Sequence, residues 1–161
     1  MELKRALYAW SFDPFTKGHL SIVKKASELF DEVIIGIADN SSKKRYTGIY
    51  SMREEIRNTL ERYKLFNVEV YIVDSLIADF CKKQNIEYLI RGLRDTSDYL
   101  YEENIAKINN EINPDLETIY FRADNNAISS SMVRELLKYG KDVSQYVPKE
   151  MLSLLQWGNY E

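Results

Sequence analysis

Short apolar runs alternate with longer amphipathic stretches along the chain, and this alternation sets its element plan. Residues 3–9 read as a buried strand. Residues 32–38 (EVIIGIA) read as a second, apolar after its first position. Between them, residues 18–30 carry Leu20, Val23, Ala26 and Phe30 at helical spacing. Residues 39–49 are polar and read as a loop. Ser51-Met-Arg-Glu54 has the spacing of a capping box, which predicts a helix from Ser51 to about Tyr63. A third strand over 68–73, a helix over 75–84 and a short fourth strand over 87–90 follow. Residues 95–113 read as a long helix closed by Pro114. A fifth strand over 118–121 precedes a helix over 130–139, with Gly140 as its stop, and Pro148 opens a final helix.

Strand–helix alternation with continuous apolar strands predicts a Rossmann-like, doubly wound five-stranded parallel sheet with helices on both faces. No Pro/Gly/Ser-rich linker, repeat or low-complexity tract divides the sequence, so residues 1–161 are expected to form a single domain. Sheets of this kind bind ligands beyond the carboxyl ends of their strands, near a switch in strand order. The loops that follow strands are therefore where chemistry is expected.

Composition narrows the classes. Hydrophobic residues at 45% against charged residues at 29% give a globular balance and exclude a disordered chain. Cys81 is the single cysteine, so no internal disulfide is possible and a reducing compartment is expected. The N-terminus lacks an apolar run long enough for a secretion signal, and no segment approaches a membrane span; a cytoplasmic location with no membrane partner is expected. A net charge of −3 without a long basic block argues against a nucleic-acid partner. An anionic ligand would need positive groups focused at one place.

The first such place is Ser11-Phe12-Asp13-Pro14-Phe15-Thr16-Lys17-Gly18-His19, between the first strand and the first helix. A helix N-terminus offers unpaired N–H groups and a partial positive charge, which suit phosphate. Gly18 permits close approach. His19, the only histidine, falls in the first turn, where the helix dipole disfavours its protonation and leaves a neutral donor. The first turn lacks G-x-G-x-x-G, which argues against a dinucleotide-dependent dehydrogenase.

The segment Phe12-Asp13-Pro14 with Thr16-Lys17-Gly18-His19 resembles the T/H-x-G-H signature of the nucleotidyltransferase superfamily. Ile90-Arg91-Gly92-Leu93-Arg94, expected after the fourth strand, and Ile128-Ser129-Ser130-Ser131, ahead of a late helix, sharpen the likeness. Together the three motifs resemble the phosphopantetheine adenylyltransferases, from about Lys4 to about Pro148. That resemblance implies transfer of AMP from ATP to 4′-phosphopantetheine, with release of pyrophosphate, in coenzyme A biosynthesis. It implies Mg²⁺ accompanying ATP, which needs few protein ligands, so no residue is assigned to a metal. It also implies a homohexamer.

By the same resemblance, His19, Lys43 and Ser11 stabilise charge at the reacting phosphate. Ser11, Phe12, His19, Gly92, Leu93, Arg94 and Glu102 belong to the ATP site, with Asn125, Asn126, Ala127, Ile128, Ser129, Ser130 and Ser131. Ser11, Lys43, Ile77 and Arg91 contact phosphopantetheine. Each residue also has an ordinary reading. Lys43 and Lys44 suit solvated surface charge, and Arg91 and Arg94 suit ion pairs with Asp95 or Asp98. Glu102 suits an exposed helix carboxylate, the serines suit helix caps, and Leu76 and Ile77 suit core packing. The chain departs from the family pattern at Ala9-Trp10, where Pro-Gly is usual, and at Leu100, where glutamate is common. The stretch before Ile128 is short, and Ala127 replaces an aromatic. Two alternatives stay open: a nucleotidyltransferase with another acceptor, such as nicotinamide mononucleotide or a phosphocholine-type substrate, or a nucleotide-binding homologue without catalysis.

Overall fold

The structure is a computed structural model that describes residues 2–40, 42–124 and 128–155. Five strands form one all-parallel sheet: β1 (Arg5–Trp10), β2 (Glu32–Ala38), β3 (Val68–Val73), β4 (Tyr88–Leu93) and β5 (Glu117–Arg122), in the order β3-β2-β1-β4-β5. Chain order runs outward from β1 in one direction and then jumps to β4. The switch point therefore lies between β1 and β4.

The strand residues alternate between two apolar layers. Ala6, Tyr8, Val33, Ile35, Ile37 and Ile90 face one way, packed with α1 (Lys17–Leu29), α2 (Ile49–Arg62) and α5 (Ser130–Lys138). Leu7, Ala9, Ile34 and Leu89 face the other way, with Ala78 and Cys81 of α3 (Ile77–Lys83) and Ile112 of α4 (Thr96–Ile112). Helices on both faces explain why the strands are apolar at successive positions. A 3₁₀ turn (Lys149–Met151) begins directly after Pro148 and runs into α6 (Leu152–Leu155).

Three boundaries differ from the sequence reading. The box at Ser51 and Glu54 does not form; α2 starts at Ile49, with Gly48 as an N-cap that lacks a side-chain bond. The cause lies outside the helix. Asp13 accepts from the N–H groups of Tyr46 and Thr47, at 2.8 and 2.9 Å, and the cap falls three residues earlier than local capping would put it. A capping box does form at Thr16 and His19, with histidine in the place of the usual glutamate. Finally, β4 runs through Arg91-Gly92-Leu93, because these residues pair with Tyr120, Phe121 and Arg122 of β5. The motif sits on the carboxyl end of the strand instead of following it.

Candidate active site

The β1–α1 loop is built from a buried carboxylate outward. Asp13 is 7% exposed and accepts three hydrogen bonds, from the backbone of Tyr46 and Thr47 and from the Thr47 hydroxyl. Arg45 adds a neighbouring charge and donates to the carbonyls of Ser11 and Phe12. Arg134 donates to the Asp13 carbonyl, and the Ser130 hydroxyl donates to that of Pro14. Loop 39–48, the β1–α1 loop and α5 are thereby locked together. Phe12 is fully buried in a left-handed backbone conformation (φ 47°), where a bulky residue is strained and is held by its surroundings.

This scaffold presents α1 to a cleft at the switch point. The Lys17 N–H bonds the Tyr146 carbonyl, and the His19 N–H bonds Thr16 Oγ1. Gly18 lines the cleft and carries the first-turn amide without a partner among the described residues. It is the natural donor for an anion at the positive end of the helix. The Thr16 N–H donates to Nδ1 of His19 at 3.0 Å, so a neutral ring carries its proton on Nε2. Phe15 stacks on that ring, while Tyr8 and Phe12 meet it edge-on. This apolar surround desolvates the imidazole and, with the charge of Arg94, pushes its pKa down from 6.5 to about 3. His19 is thus a neutral hydrogen-bond donor near pH 7.

The cleft encloses about 270 Å³ and is lined by His19 and Gly18 of α1, Gly92 at the end of β4, Arg94 just after it, Glu102 of α4, and Ile128, Ser129 and Ser130 at the start of α5. Gly92 matters for space: a Cβ there would lie 2.7 Å from Ile22 Cδ1. Ser129 caps α5 by accepting from the Met132 N–H, and its hydroxyl lies 3.0 Å from that of Ser131. Ser130 is turned inward to Pro14, which gives it a structural role. Tyr8, Thr16, Ile22, Asp98, Tyr101 and Ala123 also line the cleft. The sequence reading passed over their role because Tyr8 and Ile22 fit core periodicity and Tyr101 looks like one exposed helix aromatic among several.

The two arginines behave differently. Arg94 is exposed and pairs with Asp98 at 3.1 Å, the ordinary ion pair foreseen for it. Arg91 pairs instead with Glu102. Its Nε and Nη2 donate to the carboxylate at 2.7 and 2.9 Å, and its Nη1 donates to the Ala9 carbonyl at 2.5 Å. Both side chains are buried, so Glu102 is not an exposed helix carboxylate. Trp10 covers the pair, with the Arg91 guanidinium carbon 4.3 Å from its ring centre.

The remaining predicted residues stand around this centre. Ser11 is exposed at the end of β1, and Lys43 is exposed on the loop that Arg45 ties to Ser11. Leu93 faces a second, shallower hollow beside β5. Ile77 opens α3 and packs half-buried on the other face of the sheet, away from the cleft lining. Asn125, Asn126 and Ala127 lie outside the described residues. No group of three or more His, Cys, Asp or Glu suited to hold a metal occurs among the described residues, and Asp98 and Glu102 are each engaged by an arginine.

Comparison with known proteins shows the family. The model of the cytidylyltransferase-like family matches residues 7–136. A phosphopantetheine adenylyltransferase of Vesicomyosocius okutanii is 39% identical over 155 residues, which are 95% of this chain and 97% of that protein. One from Cytophaga hutchinsonii is 43% identical over 147 residues, 90% of this chain and 97% of that protein. Among solved structures, "a Putative Nicotinate-nucleotide Adenylyltransferase" from Vibrio parahaemolyticus superposes with a TM-score of 0.71 at 22% identity. It covers 99% of this chain and 96% of that one, a likeness of fold. With identity at this level over nearly the whole length of both relatives, the chain belongs to the phosphopantetheine adenylyltransferases of the cytidylyltransferase-like family.

Proposed function

We propose that the cleft at the β1/β4 switch point binds ATP and presents its α-phosphorus to the phosphate of 4′-phosphopantetheine. A phosphate oxygen of the acceptor forms the new bond to the α-phosphorus. The bond from that phosphorus to the bridging oxygen breaks, and pyrophosphate leaves with the electron pair. Dephospho-coenzyme A is the second product. The nucleophile is already anionic, so neither a general base nor a covalent enzyme intermediate is required. Catalysis is positioning plus stabilisation of charge on the phosphoryl oxygens.

The observation that carries this reading is the convergence on one cleft of the Gly18 helix amide, without a partner among the described residues, a neutral Nε2–H donor at His19 and the Ser129 cap. His19 donates to the α-phosphate; Lys43 and Ser11, on the rim, reach the phosphoryl groups from the β2 side. Gly92, Arg94, Glu102 and Ile128 to Ser131 frame the nucleotide, with Asn125, Asn126, Ala127, Phe12 and Leu93 completing its surroundings. Arg91, Lys43 and Ile77 serve the acceptor. Mg²⁺ would arrive on the ATP phosphates and shield their charge; the carboxylates of the cleft are already paired, which suits an ion carried by the nucleotide. The same reading has residues 1–161 acting as one nucleotidyltransferase domain, in a cytoplasmic homohexamer. Among the described residues no helix is long and apolar enough to cross a membrane.

The test is an acceptor comparison. Purified protein with ATP and Mg²⁺ is given 4′-phosphopantetheine or nicotinamide mononucleotide, and pyrophosphate is measured. Release with the first acceptor alone supports the proposal. Release with the second alone would reassign the acceptor, and ATP binding without release would mark a homologue that has lost catalysis.

A further inference from the structure

Trp10 ends β1, lines the cleft and remains 39% exposed, an unusual position for an indole on a strand otherwise buried from Ala6 to Ala9. One face of its ring lies on the Arg91 guanidinium. The guanidinium is also held at its edges: Glu102 takes Nε and Nη2, and the Ala9 carbonyl takes Nη1. Three independent contacts thus fix one arginine, and one N–H on each terminal nitrogen has no partner among the described residues. The Glu102 pair cancels the negative charge that a free carboxylate would turn toward a polyphosphate.

We propose that Trp10 is a positioning residue for the acceptor phosphate. It stacks on Arg91, holds it against Glu102 and excludes water, so that the remaining N–H groups are set before the anion arrives. The indole does not touch the reacting atoms. Its effect is pre-organisation, which appears in substrate affinity more than in the chemical step. With the guanidinium buried and the indole partly exposed, the cation–π contact falls between the exposed and the desolvated cases.

This inference rests on the adenylyl-transfer reading, and the experiment separates the two. KM for 4′-phosphopantetheine, KM for ATP and kcat are measured for the wild-type protein, Trp10→Ala, Trp10→Phe and Trp10→Tyr, together with Trp10→Ala in an Arg91→Lys background. Trp10→Ala should raise KM for phosphopantetheine by about fivefold, the scale of a partly exposed cation–π contact. It should lower kcat by less than about threefold, because no group at the reacting phosphorus is lost. Phenylalanine and tyrosine should restore most of the affinity. With the fork replaced in Arg91→Lys, removing the ring should cost little more. An unchanged phosphopantetheine KM in Trp10→Ala, a rise confined to ATP, or failure of both aromatic replacements to rescue would overturn the inference while wild-type turnover stands. Absence of turnover in the wild-type protein would count instead against the parent reading. Should Arg91→Lys unfold, the aromatic series decides alone.

Discussion

At the scale of single residues, environment decides what each group can do. His19 accepts at Nδ1 from the Thr16 backbone and is desolvated by three aromatic rings, so it stays neutral down to about pH 3. His19→Ala is expected to lower kcat by about 10²–10³, the usual cost of one charge-stabilising donor. Loss of ATP affinity should be modest, as calorimetric titration against steady-state kinetics would show. The same pKa fixes a pH signature. Between pH 6.5 and about 3 the unfolded chain takes up a proton at His19 that the folded chain refuses. Stability from this residue is therefore full above 6.5 and declines as pH falls toward 3. Urea midpoints at pH 7 and pH 4.5 should draw apart less in His19→Gln than in the wild-type protein. Glu102→Ala leaves a buried guanidinium unpaired and should cost about 3 kcal/mol in unfolding free energy. Gly92→Ala places a methyl against Ile22 Cδ1, the movable end of a side chain. It should weaken ATP binding with little loss of stability, and Ile22→Val should recover part of the affinity.

At the scale of elements, the loops owe their shape to contacts far away in sequence. Asp13 reaches Tyr46 and Thr47 across more than thirty residues and sets where α2 begins. Asp13→Ala strands two backbone donors and a hydroxyl; a loss of about 2–3 kcal/mol is expected in denaturant unfolding, together with reduced turnover as loop 39–48 detaches. This is also why the sequence was readable in some places and not in others. The strands and most helices were legible because periodicity and caps are local signals: Glu32–Ala38 and Val68–Val73 fall where apolar runs put them. Ser51 misled because its capping spacing is genuine, yet a distant carboxylate holds Tyr46 and Thr47 and the cap falls at Gly48, three residues earlier. The Arg91–Glu102 pair was hidden for a related reason. Two charged side chains eleven positions apart, on a strand and a helix, carry no local mark of facing one another.

At the scale of the molecule, the order β3-β2-β1-β4-β5 gathers the site. It brings the carboxyl ends of β1 and β4 side by side and sets the starts of α1 and α5 over the gap between them. Motifs separated by more than a hundred residues thereby share one cleft, and Arg45, Arg134 and Ser130 bind the surrounding loops into a single rim. Strand–helix alternation and three short motifs pointed to a parallel sheet with its chemistry at the carboxyl edge; the strand order and the ties made by Arg45, Arg134 and Ser130 are visible only in the structure. The covering of Arg91 by Trp10 did not follow, because it depends on where one side chain at a strand end comes to rest. Bond formation between the acceptor phosphate and the α-phosphorus of ATP is the central claim. It is tested most directly by supplying 4′-phosphopantetheine labelled with ¹⁸O in its phosphate, together with unlabelled ATP, and locating the label by mass spectrometry. The account predicts dephospho-coenzyme A and pyrophosphate in equal amounts, with all label in the former. Pyrophosphate carrying the label, or released without a matching amount of dephospho-coenzyme A, would contradict it.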